Sequence, residues 1–289
     1  MGRGTPGGRA IRGASCRPIP GGGSRLRPET AWCGSPKSSR PENVAWKRPR
    51  GSGAGDRVSG IASSNGVQVE STTDLPRLHV IAGDGIISAA DYRERIGPVL
   101  RVGGRSIAVH LRARTVHAAR LFEVACWLAE SARATGSLAV VNDRLDVALA
   151  AGAGGIHLRE DSLAPEDVRQ VAGRVAVDAR GLRVGRSIHE TRQAAMHPAD
   201  LLDYLVLGTV YATPSHPERE PLGLPALAET VRLAGVPVLA IGGVVPATLP
   251  YVLARGAYGA VVLSGVWAAD RPSEAVSRYL EVLDREAAP

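Results

Sequence analysis

The chain has 289 residues, 35 basic side chains against 28 acidic ones, and 44% hydrophobic residues. The charge is local: residues 1–73 hold 12 Lys and Arg against 4 Asp and Glu, which leaves 23 against 24 for the rest. The net charge of +7 is therefore no argument for a nucleic-acid surface on the remainder, and no apolar run of membrane or secretory-signal length is present.

Residues 1–73 are crowded with Gly, Pro, Ser and Arg and show neither a 3.6-residue nor a 2-residue apolar period. Such a segment buries too little apolar surface to offset the entropy of ordering it, so a disordered basic leader is expected there. Residues 74–289 are expected to form one domain. The three cysteines, Cys16, Cys33 and Cys126, are an odd count without metal spacing, and a cytoplasmic location is the expectation.

From Arg77 onward short apolar runs alternate with amphipathic stretches. The runs are Leu78–Ala82, Ser106–Leu111, Leu138–Val141, Gly155–Leu158, Val184–Ser187, Tyr204–Leu207, Val236–Ile241 and Ala260–Leu263. Candidate helices between them include Val116–Ala134, Asp143–Ala151, Pro165–Ala172 and Pro246–Arg255. Continuous apolar runs suit parallel strands buried on both faces, and parallel strands need helical crossovers. Eight such units favour an α/β fold closed as a (β/α)8 TIM barrel over an open sheet.

Chemistry in such a barrel sits just beyond the C-terminal ends of the strands. Gly242 and Gly243 follow the seventh run, and Ser264 and Gly265 follow the eighth. Loops there let backbone N–H groups approach an anion, so these four residues are the expected phosphate cradle. His189, after the fifth run, is a natural proton carrier near neutral pH. Arg112 ends the second run on the same side as His110 and suits an anionic group; Asn142 and Thr213 stand at the ends of the third and sixth. Asp143 is either a helix N-cap or a carboxylate at the mouth. His157 is expected to be a packed core residue. No lysine follows Lys47, which excludes a Schiff-base lysine in the barrel.

Several segments resemble the TenI / thiamine phosphate synthase family. Val109-His110-Leu111-Arg112-Ala113-Arg114 resembles its V-Q-L-R-x-K strand, and Val141 to Ala148 its N-D-R-x-D-x-A segment. Gly154-Gly155-Ile156-His157-Leu158, Asp203 to Thr213 and Val236 to Val244 follow further family patterns in the same order. The resemblance implies thiamine biosynthesis on a thiazole phosphate, by one of two activities. A synthase joins a pyrimidine diphosphate to the thiazole phosphate and releases pyrophosphate, with Mg²⁺ held by carboxylates. A TenI-type tautomerase moves the proton that makes the thiazole aromatic and needs no metal.

Departures from the synthase pattern cluster in one subsite: Arg114 and His216 replace lysines, and Ser162 falls where a second Mg²⁺-binding Asp is expected, one residue from Asp161. Gly185-Arg186-Ser187-Ile188-His189 resembles the TenI segment with the proton-shuttling histidine. The expectation is thus a thiazole tautomerase with His189 catalytic, without cofactor. The alternative is the synthase, with Mg²⁺ and Asp143 as a ligand, and a second alternative is an idle thiazole or thiamine phosphate binder. The expected partners are the small phosphate substrate and, as an option, further copies of the chain, with neither nucleic acid nor membrane.

Overall fold

Each apolar run becomes a parallel strand, because backbone pairing within the sheet lets both side-chain faces be covered at once. The computed structural model describes residues 75–175, 181–215 and 217–286. The expected leader and His216 lie outside these. The strands are β1 (Leu78–Ala82), β2 (Ile107–Leu111), β3 (Leu138–Asn142), β4 (Gly155–Leu158), β5 (Arg183–Ile188), β6 (Tyr204–Gly208), β7 (Val238–Ile241) and β8 (Gly259–Val262). They pair in chain order into a closed barrel, with Leu78 of β1 opposite Ala260 of β8.

The helices are α1 (Asp84–Ile87), α2 (Tyr92–Gly103), α3 (Ala118–Thr135), α4 (Leu145–Ala151), α5 (Pro165–Val175), α6 (Gly223–Leu233), α7 (Leu249–Leu253), α8 (Ser264–Trp267) and α9 (Pro272–Arg285). The longest, α3, buries Leu121, Val124, Ala125, Leu128, Ala129 and Ala132, the three- and four-residue spacing of one helical face. It starts at Ala118 and not at Val116, because the His117 ring accepts from the Ala119 N–H and caps the first turn. The expected helix 246–255 shrinks to Leu249–Leu253, since a turn with a Val245 N–H to Thr248 Oγ1 bond of 3.0 Å takes its first residues. After β5 there is only a 3₁₀ segment, Thr191–Met196, held by a Glu190–Gln193 capping box.

Two separate apolar clusters result. The larger lies between the outer face of the sheet and the helices. The smaller fills the barrel interior with Ile81, Tyr204, Val206, Leu239 and Val261. Buried polar groups join it there: His79, His110, Asn142 and His157. At the other face Asp203, before β6, accepts from Arg169 at 2.7 Å, Arg183 at 2.9 Å and the Val184 N–H at 2.7 Å. One carboxylate thus ties α5, β5 and β6 together.

Candidate active site

The strand ends open into one cavity of about 850 Å³. His189, Arg112, Asn142, Thr213, Gly242, Gly243, Ser264 and Gly265 all line it, so the residues expected from sequence converge on one place. Asp143 does not reach the wall.

One side of the cavity is built from backbone. Gly242 and Gly243 have φ of 95° and 64°, a region that L side chains rarely adopt. A Cβ on Gly243 would also stand 2.6 Å from the Ala212 carbonyl. Ser264 and Gly265 open α8, where N–H groups lack helical partners. Among the described residues no backbone carbonyl takes the N–H groups of Gly243, Ser264 or Gly265. Tyr279 of α9 supports both loops: its hydroxyl donates to the Val244 carbonyl at 3.0 Å and fills the space against Gly265 that a Cβ would need. Burial pushes the Tyr279 phenol up to about 12, so it stays a donor.

Cationic side chains also line the cavity. Arg112, Arg114, Arg159 and Arg219 line the cavity with Glu160 and Asp161. Burial, and after it the neighbouring Arg114, lowers the Arg112 pKa, the sign of a guanidinium set where an anion would relieve it. The loop after β4 is held from below by Arg186, whose Nη1 donates to the Leu163 carbonyl at 3.0 Å and Nη2 to that of Glu160 at 2.5 Å. Gln193 joins this loop to the next: its side-chain N–H donates to Glu160, and its Oε1 accepts from the His189 N–H at 2.8 Å.

Asp143 is not the N-cap of α4; that position belongs to Arg144, and no side chain caps the helix. Asp143 takes a φ of 60° and turns towards Arg159, accepting from its N–H at 2.9 Å and its Nε at 3.1 Å. The same Nε lies 3.5 Å from Asp161. Two carboxylates therefore flank one guanidinium nitrogen, and Asp161 is the residue one place from the Ser162 position of the family pattern.

His189 Nδ1 lies 2.7 Å from the Gly208 carbonyl. A carbonyl only accepts, so Nδ1 carries a proton, and in the neutral ring Nε2 holds the lone pair of a base. His157 is packed as expected, stacked on Tyr204 at 5.7 Å between ring centroids and bonded to Ser187 Oγ at 2.8 Å, yet it also lines the cavity. Arg159 and Arg219 line the cavity without having been assigned a role from sequence. Both lie in loops without periodicity, where only their charge was a signal.

Residues 78–266 match the family model described as thiamine monophosphate synthase. The chain is 41% identical over 157 residues to the thiamine-phosphate synthase of Mycobacterium sp. (strain KMS), covering 54% of this chain and 67% of that protein. It is 35% identical over 176 residues to a putative thiamine-phosphate synthase of Geobacter sulfurreducens, covering 61% and 80% respectively. The solved thiamine phosphate pyrophosphorylase of Pyrococcus furiosus superposes with a TM-score of 0.62 at 25% identity, covering 74% of this chain and 98% of that one. The chain belongs to the thiamine monophosphate synthase family, and with it to thiamine biosynthesis.

Proposed function

We propose that the protein is a thiamine-phosphate synthase, joining a pyrimidine diphosphate to a thiazole phosphate. The observation that carries this reading is one large cavity lined both by the glycine turns after β7 and β8 and by Arg112, Arg114 and Arg159 from the loops after β2 and β4, two features that could each hold an anion. A single small substrate would need only one of these at full strength; two phosphorylated substrates use both. The names of the relatives at 41% and 35% identity favour the same reading over the tautomerase expected from sequence.

In the condensation a C–N bond forms as the C–O bond to diphosphate breaks, so negative charge grows on the departing pyrophosphate. Arg112, Arg114 and Arg159 would stabilise that charge and so lower the barrier to the transition state. The cradle amides would hold the phosphate of the second substrate and fix its ring against the first. Asp143 and Asp161 fit Mg²⁺, which takes one or two carboxylates together with substrate phosphates, provided that Arg159 moves aside. Bound there, the ion would neutralise phosphate charge.

A second reading, the thiazole tautomerase, is favoured by His189, whose free Nε2 faces the cavity as a proton acceptor. Two substrate sets separate them. Metal-dependent formation of thiamine phosphate and pyrophosphate from the two phosphorylated rings is expected. Aromatisation of the carboxythiazole phosphate without metal, and no thiamine phosphate, would replace the synthase by the tautomerase.

A further inference from the structure

A chain of hydrogen bonds runs through the barrel interior from its base to its mouth, and its proton count does not close as the atoms stand. At the base the Pro76 carbonyl lies 3.0 Å from His79 Nε2. His79 Nδ1 lies 2.9 Å from His110 Nε2, and His110 Nδ1 lies 3.1 Å from Asn142 Oδ1. Pro76 O only accepts, so His79 Nε2 carries one proton. The bond between the rings holds a second. With an oxygen facing it, His110 Nδ1 would need a third, and three protons on two imidazoles leave one positive charge.

That charge has no counter-ion. The two rings are 0% and 1% exposed, and their ring neighbours are each other, Tyr204 and His157. An uncompensated charge in such a place costs far more than a hydrogen bond returns. Burial is the main cause that holds His110 at about 4 and His79 well below the ordinary histidine value, so both rings are neutral near pH 7. Two neutral rings supply two protons, and the third bond must take its proton from Asn142.

We propose that His79 and His110 hold Asn142 with its amide turned, Nδ2 donating to His110 and Oδ1 facing the cavity as a fixed acceptor. Every bond then points one way, from Asn142 through His110 and His79 to Pro76. The amide's second head atom has no hydrogen-bond partner among the described residues and is not sealed from solvent, while Asn142 lines the cavity. His79 and His110 are positioning residues that act through Asn142. The family pattern places Gln at His110, a side chain that can donate or accept at either end; a histidine pair anchored on a carbonyl removes that freedom.

Long-range ¹H–¹⁵N spectra of the full chain labelled at histidine nitrogen test the orientation without any substrate. His79→Gln and His110→Gln assign the signals. Near neutral pH both rings should be neutral with bare Nδ1 and protonated Nε2. A proton on His110 Nδ1, in a neutral or a charged ring, overturns the proposal. Asn142→Asp leaves only acceptors beside His110, so it should move a proton onto that Nδ1; no change there also overturns it. Loss of synthase turnover alone, with the spectra as expected, would instead count against the two-substrate reading.

Discussion

Arg159 lies between Asp143 and Asp161 and also faces the cavity, so its substitution separates two roles. Arg159→Ala should raise KM for the diphosphate substrate by about tenfold, the effect of losing one charge-assisted bond, with a smaller change for the monophosphate. Equal loss for both substrates in steady-state kinetics would place Arg159 outside the diphosphate subsite. His189→Ala divides the two candidate activities. It should abolish tautomerisation, because Nε2 is the base there, but reduce the condensation by about tenfold or less. A comparable collapse of both rates would mean that the Gln193 and Gly208 bonds of His189 hold the loop rather than serve chemistry. Tyr279→Phe removes one hydroxyl beneath the cradle and leaves the Val244 carbonyl without its donor. A loss of about 1–2 kcal/mol in urea unfolding is expected, with weaker inorganic phosphate binding.

At the level of elements, the strands were legible in the sequence because a parallel strand buried on both faces is a continuous apolar run. β1 and β4 match their expected bounds, and the others differ by one or two residues at an end. The crossovers were less legible where side-chain caps decide the boundary, as at His117 and Thr248. The site residues on strand ends, among them Arg112 and Asn142, followed from strand direction alone. The contacts of Arg159 and Asp161 and the place of Arg219 did not, since loop geometry depends on partners remote in sequence such as Arg186 and Gln193. Asp203 illustrates the same limit: the family segment contains it, yet its work is to join α5, β5 and β6. Asp203→Asn should cost about 3 kcal/mol by leaving two half-buried guanidinium groups short of their carboxylate, read by thermal or urea unfolding. A change below about 0.5 kcal/mol would make it a surface ion pair without structural weight.

For the whole molecule, the polar interior gives stability a dependence on pH. Burial first, then the mutual opposition of the histidines to becoming charged and, for His157, the nearby Arg112 and Arg186, holds His79, His110 and His157 below the ordinary histidine value. Below about pH 6.5 the unfolded chain gains protons on these rings that the folded barrel refuses, so stability falls with pH towards the value of about 4 given for His110. The slope is up to about 1.4 kcal/mol per pH unit for each ring. Urea midpoints should decline from about pH 6.5 to 5, and less steeply in His110→Gln; a flat profile would show that the rings titrate alike in both states.

Tyr279 ties the cradle to the last helix, and Arg77, just before β1, reaches the Leu283 carbonyl of that helix at 2.8 Å. Synthesis delivers these parts in the opposite order: β1 leaves the ribosome early, while α9 follows after every strand. A nascent chain stopped before residue 272 would already contain all four cradle residues and all four arginines, but not the hydroxyl that props the loops. On the proposed reading, the ability to hold phosphate thus arrives only once α9 is made, and a stop before it yields a complete set of strands with an unsupported cradle.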